Sequence, residues 1–383
     1  MNISARILSI DLLRAIAAFG VYMFHSSLFA GFDKFSLPIS IPYFLVDVNI
    51  PNFFSLGASG VSLFFVISGF VLTRSWFKNK NQQLNFSDYY FRRFTRIYPA
   101  YLFSVCVTLL IYLLFKNYEL SGGVNENKPS LINNFFIHLI FLQGFLPFSF
   151  QSFNGTLWSM STEVQFYLLL PFLYIFWMRK WPLNGVLVIG AMCIILRYYG
   201  ATDLEMTSPI DGGVSYSVLI SYSIAGRLFE FVIGLYIASL EYQNRLRRFG
   251  FSKVLFVLLI TAAVRWKGPG WLADPFFGIA YGVILVWFLT NIEDLKSVYL
   301  KIFIVKKMQL FGIYSYSFFL IHWPVLMLSQ QVGWLSGVAG WTHLVLDAPV
   351  CFFVSYVLAK WMFVHIEDKF HNNLELFKQK LSS

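Results

Sequence analysis

The chain has 383 residues, of which 57% are hydrophobic, 20% aromatic and only 13% charged, against about 25% charged in ordinary globular domains. That balance excludes a soluble globular protein and points to a membrane protein. The net charge of +10 does not indicate nucleic acid, because Lys and Arg punctuate apolar segments, where the positive-inside rule and anionic lipid account for them.

In chain order, apolar stretches fall near residues 10–30, 57–77, 97–116, 132–148, 163–178, 184–199, 219–240, 253–266, 276–290, 311–331 and 343–363. Crossing the hydrocarbon core takes about 20 predominantly apolar residues. If all eleven crossed, the basic segment EYQNRLRRFGFSK at 241–253 would lie outside while FRRFTR at 91–96 lay inside, against the charge bias. The stretch 132–148 is short and holds Asn133, Asn134, His138 and Gln143, so it reads as an interfacial or re-entrant piece. Ten spans remain. In that register nineteen of the 29 basic residues lie inside and six outside, namely Lys34, Lys116, Lys128, Arg197, Arg265 and Lys267, while Arg14, Arg74, Arg227 and Lys360 lie within spans. The expected fold is an all-α, polytopic integral membrane helical bundle of about ten transmembrane helices with both termini cytoplasmic. Residues 1–370 form the transmembrane domain and 371–383 a short cytoplasmic tail. Arg14 and His25 interrupt the first apolar run, which argues against a cleaved signal peptide at 1–30. Cys106, Cys193 and Cys351 sit in separate apolar runs, so they suggest neither a disulfide framework nor a metal cluster.

The first stretch, SIDLLRAIAAFGVYMFHS at 9–26, carries Arg14 and His25 eleven residues apart. At about 100° and 1.5 Å per residue, both fall on one helix face, roughly 16 Å apart along the axis. Such a face must look into the bundle, because an ionisable group in hydrocarbon is costly and a functional hypothesis by default. Asp11, three residues before Arg14, reads equally as a salt-bridge partner.

Next, NFSDYYFRRFTRIYPAY at 85–101 places Arg93 and Arg96 at i, i+3 at the cytoplasmic mouth of the third span, close to an expected helix N-terminus. Helix N-termini attract anions, and arginine adds bidentate forks suited to phosphate; the plainer reading is a stop signal at the headgroups. In NGTLWSMSTEVQFYLLLPF at 154–172, Glu163 opens a span at its outer end. Either Ser161 or Thr162 suffices as a cap, which leaves Glu163 available to orient an imidazole near the depth of His25 or to meet a hydroxyl-bearing substrate.

Together these motifs resemble the acyltransferase-3 family of polytopic membrane O-acyltransferases. Arg14 and His25 match the family's Arg followed by ten residues and His, Arg93 and Arg96 its Arg-x-x-Arg, and WSMSTEVQFY its Trp-Ser-x-Ser-x-Glu segment, with Val164 where a second Glu is frequent. Further matches are FFVISGFVLTRSW (64–76), GRLFEFVIGLYIA (226–238), YSYSFFLIHWPV (314–325) and FVHIEDKF (363–370).

The resemblance implies transfer of an acyl group, most often acetyl, from cytoplasmic acetyl-CoA to a hydroxyl of a cell-envelope carbohydrate such as O-antigen, exopolysaccharide or a lipid-linked glycan, in the bacterial inner (cytoplasmic) membrane. It needs no metal. A neutral imidazole as general base meets the chemistry of a carbohydrate hydroxyl, so His25 is the expected base, with transient acylation of its ring as the alternative. Arg14 would lie between His25 and the donor, Arg93, Arg96 and Arg74 would hold the CoA phosphates, and Glu163 would orient His25 or touch the acceptor. Arg227 and Glu230 read as a structural i, i+3 ion pair, and His322, beside Pro324, as a second candidate to line the cavity. The rival reading is a transporter or flippase of lipid-linked glycans or of acyl groups, for which a broken helix or inverted repeat is expected; the sequence has no repeat.

Overall fold

The computed structural model describes residues 7–31, 38–41, 46–49, 54–78, 86–115, 129–175, 180, 182–203, 214–292, 302–332 and 342–370. The expected tail at 371–383 and the loop charges Lys34, Lys116 and Lys128 lie outside the described residues. The helices are α1 (Leu8–Phe29), α2 (Gly60–Lys78), α3 (Phe86–Phe115), α4 (Leu131–Leu139), α5 (Trp158–Leu173), α6 (Pro182–Thr202), α7 (Tyr216–Tyr222), α8 (Ile224–Tyr242), α9 (Phe251–Lys267), α10 (Gly270–Asn291), α11 (Phe303–Val332) and α12 (Ala348–Met362). π-turns at His343–Asp347 and Phe363–Glu367 flank α12. The all-helical expectation has one exception: β1 (Pro38–Ile41) pairs antiparallel with β2 (Val46–Asn49), Ile41 opposite Val46. Both strands are rich in the β-branched residues that favour extended backbone.

Among the described residues, eight helical stretches are long and apolar enough to cross a membrane: 8–29, 56–77, 86–115, 182–202, 216–242, 270–291, 303–332 and 343–370. Helix α5 has 16 residues and α9 has 17, roughly 24 and 26 Å at 1.5 Å per residue. Helix α4 has nine residues, about 14 Å, and is too short to span. Its His138 is buried, with Nδ1 donating to the Asn134 carbonyl at 2.8 Å, and burial holds the imidazole down at about 4, so it is a neutral core side chain.

The chain divides into two compact units. The first comprises Met1–Leu13, Ser62–Arg93 and Tyr118–Gln309. Here α2 and α8 pack backbone to backbone, since a Cβ on Gly69 would strike the Phe231 carbonyl and one on Gly234 the Val66 carbonyl; small residues permit such close approach in membrane bundles. One end of the unit gathers several helix termini. Arg74 Nε meets Glu241 at 2.6 Å, Arg248 Nε donates to the Thr290 carbonyl at 2.6 Å, Ser9 Oγ donates to the Phe288 carbonyl at 2.9 Å, and Gln309 Nε2 donates to Asp11 at 3.2 Å. The start of α1 and the ends of α2, α8 and α10 therefore share that end.

Two interruptions in these helices are closed by neighbouring side chains, because an unsatisfied backbone group in an apolar interior is expensive. Pro275 lacks the N–H that would bond the carbonyl four residues back. Arg197 Nε fills that place, donating to the Trp271 carbonyl at 2.7 Å. The single membrane-length stretch at 216–242 breaks at Ser223, whose backbone is extended. Arg197 donates to the Ser221 carbonyl at 2.8 Å, Thr162 Oγ1 to the Tyr222 carbonyl at 2.8 Å, and Gln165 accepts from the Ile224 amide at 3.4 Å. Arg197 thus corrects the expected charge map: it is a buried staple within α6, only 3% exposed, and not an external loop charge.

The second unit comprises Arg14–Val61, Phe94–Asn117 and Leu310–Ser383. Tyr22, Phe311, Phe318 and Phe352 form an edge-to-face aromatic core, and the Tyr22 hydroxyl donates to the Ala348 carbonyl. Pro324 frees the Leu320 carbonyl, and Ser104 Oγ on α3 donates to it at 2.6 Å. At the end of α11, Asp347 accepts from Ser329 at 2.8 Å, from Cys351 at 3.4 Å and from His343 Nδ1 at 3.0 Å.

Candidate active site

In the second unit, α1 and α11 bring His25 and His322 together. His25 Nδ1 lies 2.9 Å from His322 Nε2, with the rings 16° from parallel. His322 Nδ1 lies 3.1 Å from the Phe318 carbonyl one turn earlier in α11. Trp323 meets the His25 ring edge-on with centroids 5.0 Å apart. His322 is 1% exposed and His25 8%, and among the described residues the other His25 nitrogen, Nε2, makes no hydrogen bond. A buried imidazole with one nitrogen engaged and one lone pair available is the arrangement a general base needs. Arg14, on the same helix, is half-buried.

In the first unit, Glu163 accepts hydrogen bonds from Ser68 Oγ at 2.8 Å and from the Tyr167 hydroxyl. The expected cap at Ser161 or Thr162 does not exist, because α5 already begins at Trp158. Glu163 stands in the second turn, and its partner Ser68 lies midway along α2. Ser161 instead donates to the Phe141 carbonyl at 2.6 Å, packed so closely that a Cβ on Gly144 would collide with it. It is a tie between α5 and the turn after α4.

The arginine pair also needs a correction. Helix α3 begins at Phe86, so Arg93 and Arg96 lie two turns and more inside it, beyond the first turn where the helix dipole acts. They are half-buried side chains on neighbouring turns, with the Arg93 guanidinium 5.8 Å from the Tyr89 ring centroid. What suits them to phosphate is the guanidinium fork alone. Arg74 is engaged through Nε by Glu241. Asp11 is buried and accepts from Gln309.

Arg227 and Glu230 form the expected i, i+3 pair at 3.0 Å, and it belongs to a larger knot. Arg227 reaches Asp274 at 2.7 Å, Asp274 reaches Arg197 at 2.8 Å, and Ser62 Oγ donates to Glu230 at 3.3 Å. The rings of Phe65, Trp158 and Tyr222 surround the Arg227 guanidinium at 5.7–5.8 Å. Two positive and two negative groups cancel, and every cation has an anion. The sequence reading missed Asp274, which sits just before the apolar stretch drawn at 276–290; an acidic residue inside the α10 helix is the signal that would have found it. Ser68 and Tyr167, the partners of Glu163, are uncharged, and their signal was their place in the matched segments FFVISGFVLTRSW and WSMSTEVQFY. Among the described residues no group of three or more His, Cys, Asp and Glu is placed to hold a metal ion.

A family model described as an acyltransferase domain matches residues 7–360. The peptidoglycan O-acetyltransferase OatA of Listeria monocytogenes serovar 1/2a is 26% identical over 345 residues, covering 83% of this chain and 52% of that protein. Nodulation protein 10 of Rhizobium leguminosarum bv. viciae is 25% identical over 233 residues, 56% of each chain, and the O-acetyltransferase OatA of Staphylococcus aureus (strain NCTC 8325 / PS 47) is 23% identical over 341 residues, 83% and 50%. The chain thus spans about half the length of the curated relatives it matches. No solved structure matches it. The flippase alternative gains no support from these relatives, and the helix break at Ser223 that it would require is closed by neighbouring side chains. With a match over residues 7–360 and a polytopic helical fold, the chain belongs to the acyltransferase-3 family.

Proposed function

We propose that this chain is a membrane O-acetyltransferase that moves acetyl from cytoplasmic acetyl-CoA to a hydroxyl of a cell-envelope glycan, in the bacterial inner membrane. The observation that carries the reading is the buried His25–His322 contact at 2.9 Å, between α1 and α11. His25 Nε2 takes the hydroxyl proton as the oxygen attacks the thioester carbonyl; the carbon–sulfur bond breaks, and the CoA thiolate takes the proton back. Removing a positioned general base typically costs about 10²–10⁴ in rate. Arg93 and Arg96 hold CoA phosphates, Arg74 adds its terminal amines, Arg14 stabilises the oxyanion at the acyl carbonyl, and Glu163 contacts the acceptor. One relative is a peptidoglycan O-acetyltransferase, which favours a glycan acceptor.

The register goes with ten spans, α5 and α9 included, and both termini cytoplasmic. Its support is that the ends of α8 and α10 meet at one end of their unit, so α9 must run its length. The Tyr90 hydroxyl, near the start of α3, donates to the Leu168 carbonyl near the end of α5 at 3.0 Å, so α5 returns the chain to the side where α3 begins. A cysteine reporter in loop 241–253 should label from the cytoplasm, and external labelling would overturn the register.

Mass spectrometry of envelope glycans from cells with and without the gene, grown on isotopically labelled acetate, tests the activity. Loss of labelled, base-labile acetyl esters is expected. Unchanged ester content in every fraction would refute it.

A further inference from the structure

We infer that His322 is the positioning residue for His25: it fixes the tautomer that leaves His25 Nε2 bare, and it closes the proton's only other exit. The inference rests on the proposed role of His25 as base. A backbone carbonyl can only accept a hydrogen bond, so the 3.1 Å contact to the Phe318 carbonyl requires the proton of His322 to sit on Nδ1. In neutral His322, Nε2 then carries a lone pair, and the 2.9 Å contact requires His25 to donate from Nδ1. Neutral His25 is left with its lone pair on Nε2. One backbone carbonyl, set by the helical turn from Phe318 to His322, thereby determines the protonation of two rings in series.

The series also has a dead end. When His25 takes a proton on Nε2, its Nδ1–H bond to His322 becomes charge-assisted and stronger. His322 cannot pass a proton onward, because its Nδ1–H already faces a carbonyl that does not take one up. The proton returns through Nε2 of His25, the nitrogen that received it, to the departing thiolate. The geometry of α11 supports this: the Leu320 carbonyl freed by Pro324 is held by Ser104, so the turn carrying His322 keeps its orientation beside the proline.

The test uses the full chain in lipid nanodiscs with His322→Gln and His322→Phe. Glutamine offers a side-chain oxygen that accepts from His25 Nδ1–H; phenylalanine offers none. Transfer from acetyl-CoA should fall at least about tenfold in His322→Phe, up to the roughly 10⁴-fold seen elsewhere when the group fixing a catalytic tautomer is lost. KM for acetyl-CoA should hold, and His322→Gln should keep more activity than His322→Phe. A wild-type rate in His322→Phe, or a glutamine variant as inactive as phenylalanine, would overturn the inference. Nitrogen-15 spectra of histidine-labelled protein read the tautomer without any turnover. His25 Nε2 should be unprotonated in the wild type and mixed with its alternative in His322→Phe; one unchanged tautomer in both would refute positioning. If His25→Asn, run in parallel, transfers normally, the base reading fails instead, while the spectra still decide the tautomer.

Discussion

Arg227 in the first unit and His25 in the second are both buried ionisable side chains on membrane-length helices, and their surroundings differ in kind. Arg227 has a carboxylate on each side, at 3.0 and 2.7 Å, and three aromatic rings around its fork. His25 has a second imidazole as its hydrogen-bond partner, with Trp323 edge-on beside it, and keeps one nitrogen without a partner among the described residues. A buried group whose charge is cancelled on every side ties the fold to its partners, since losing one of them leaves an uncompensated charge. We propose that His25, whose free lone pair can take a proton during the reaction, serves the chemistry instead.

The largest expected effect breaks the comparison on the fold side. Arg227→Met leaves Asp274 and Glu230 sharing one cation, Arg197, and should destabilise the protein by about 3–5 kcal/mol, the usual result of removing one partner of a buried ion pair. Thermal unfolding in detergent reads this, and an unchanged midpoint would show the knot to be dispensable. A smaller effect falls on the donor. Arg93→Ala or Arg96→Ala should each raise KM for acetyl-CoA about tenfold or more, since a hydrogen bond to a charged group is worth roughly 1.5–3 kcal/mol; the unfolding midpoint should hold, and unchanged donor affinity in both would reduce them to topology signals. Smallest is Ser104→Ala, which strips the donor from the carbonyl that Pro324 freed. It should cost about 1–3 kcal/mol of stability and lower transfer only as far as the turn carrying His322 shifts.

The helices and the Arg14–His25 spacing were legible because hydrophobic runs and helical periodicity are local properties of the chain. The short stretch at 132–148 was likewise readable from Asn133, Asn134 and His138, and it folds as the nine-residue α4. Partners were not legible. His25 and His322 are 297 residues apart, and their contact depends on how α1 packs on α11. Helix starts were also misplaced. Ser161 looks like a cap, yet α5 begins earlier, at Trp158, and a tertiary hydrogen bond to the Phe141 carbonyl claims its side chain; α3 likewise begins well before Arg93, at Phe86. Arg197 read as an external charge at the edge of an apolar run, whereas two unsatisfied carbonyls and Asp274 draw it inside.

The central claim is that His25 is the base of an acyl transfer. Its most direct test is the base-labile O-acetyl content of envelopes from cells whose only copy carries His25→Asn, at a membrane level of protein matched to the wild type. An amide cannot take the hydroxyl proton, so the account predicts a fall of about 10²–10⁴ in transfer rate, an ester content equal to that of cells without the gene, and an unfolding midpoint unlike that of Arg227→Met and equal to wild type. Wild-type ester content in that strain would contradict it.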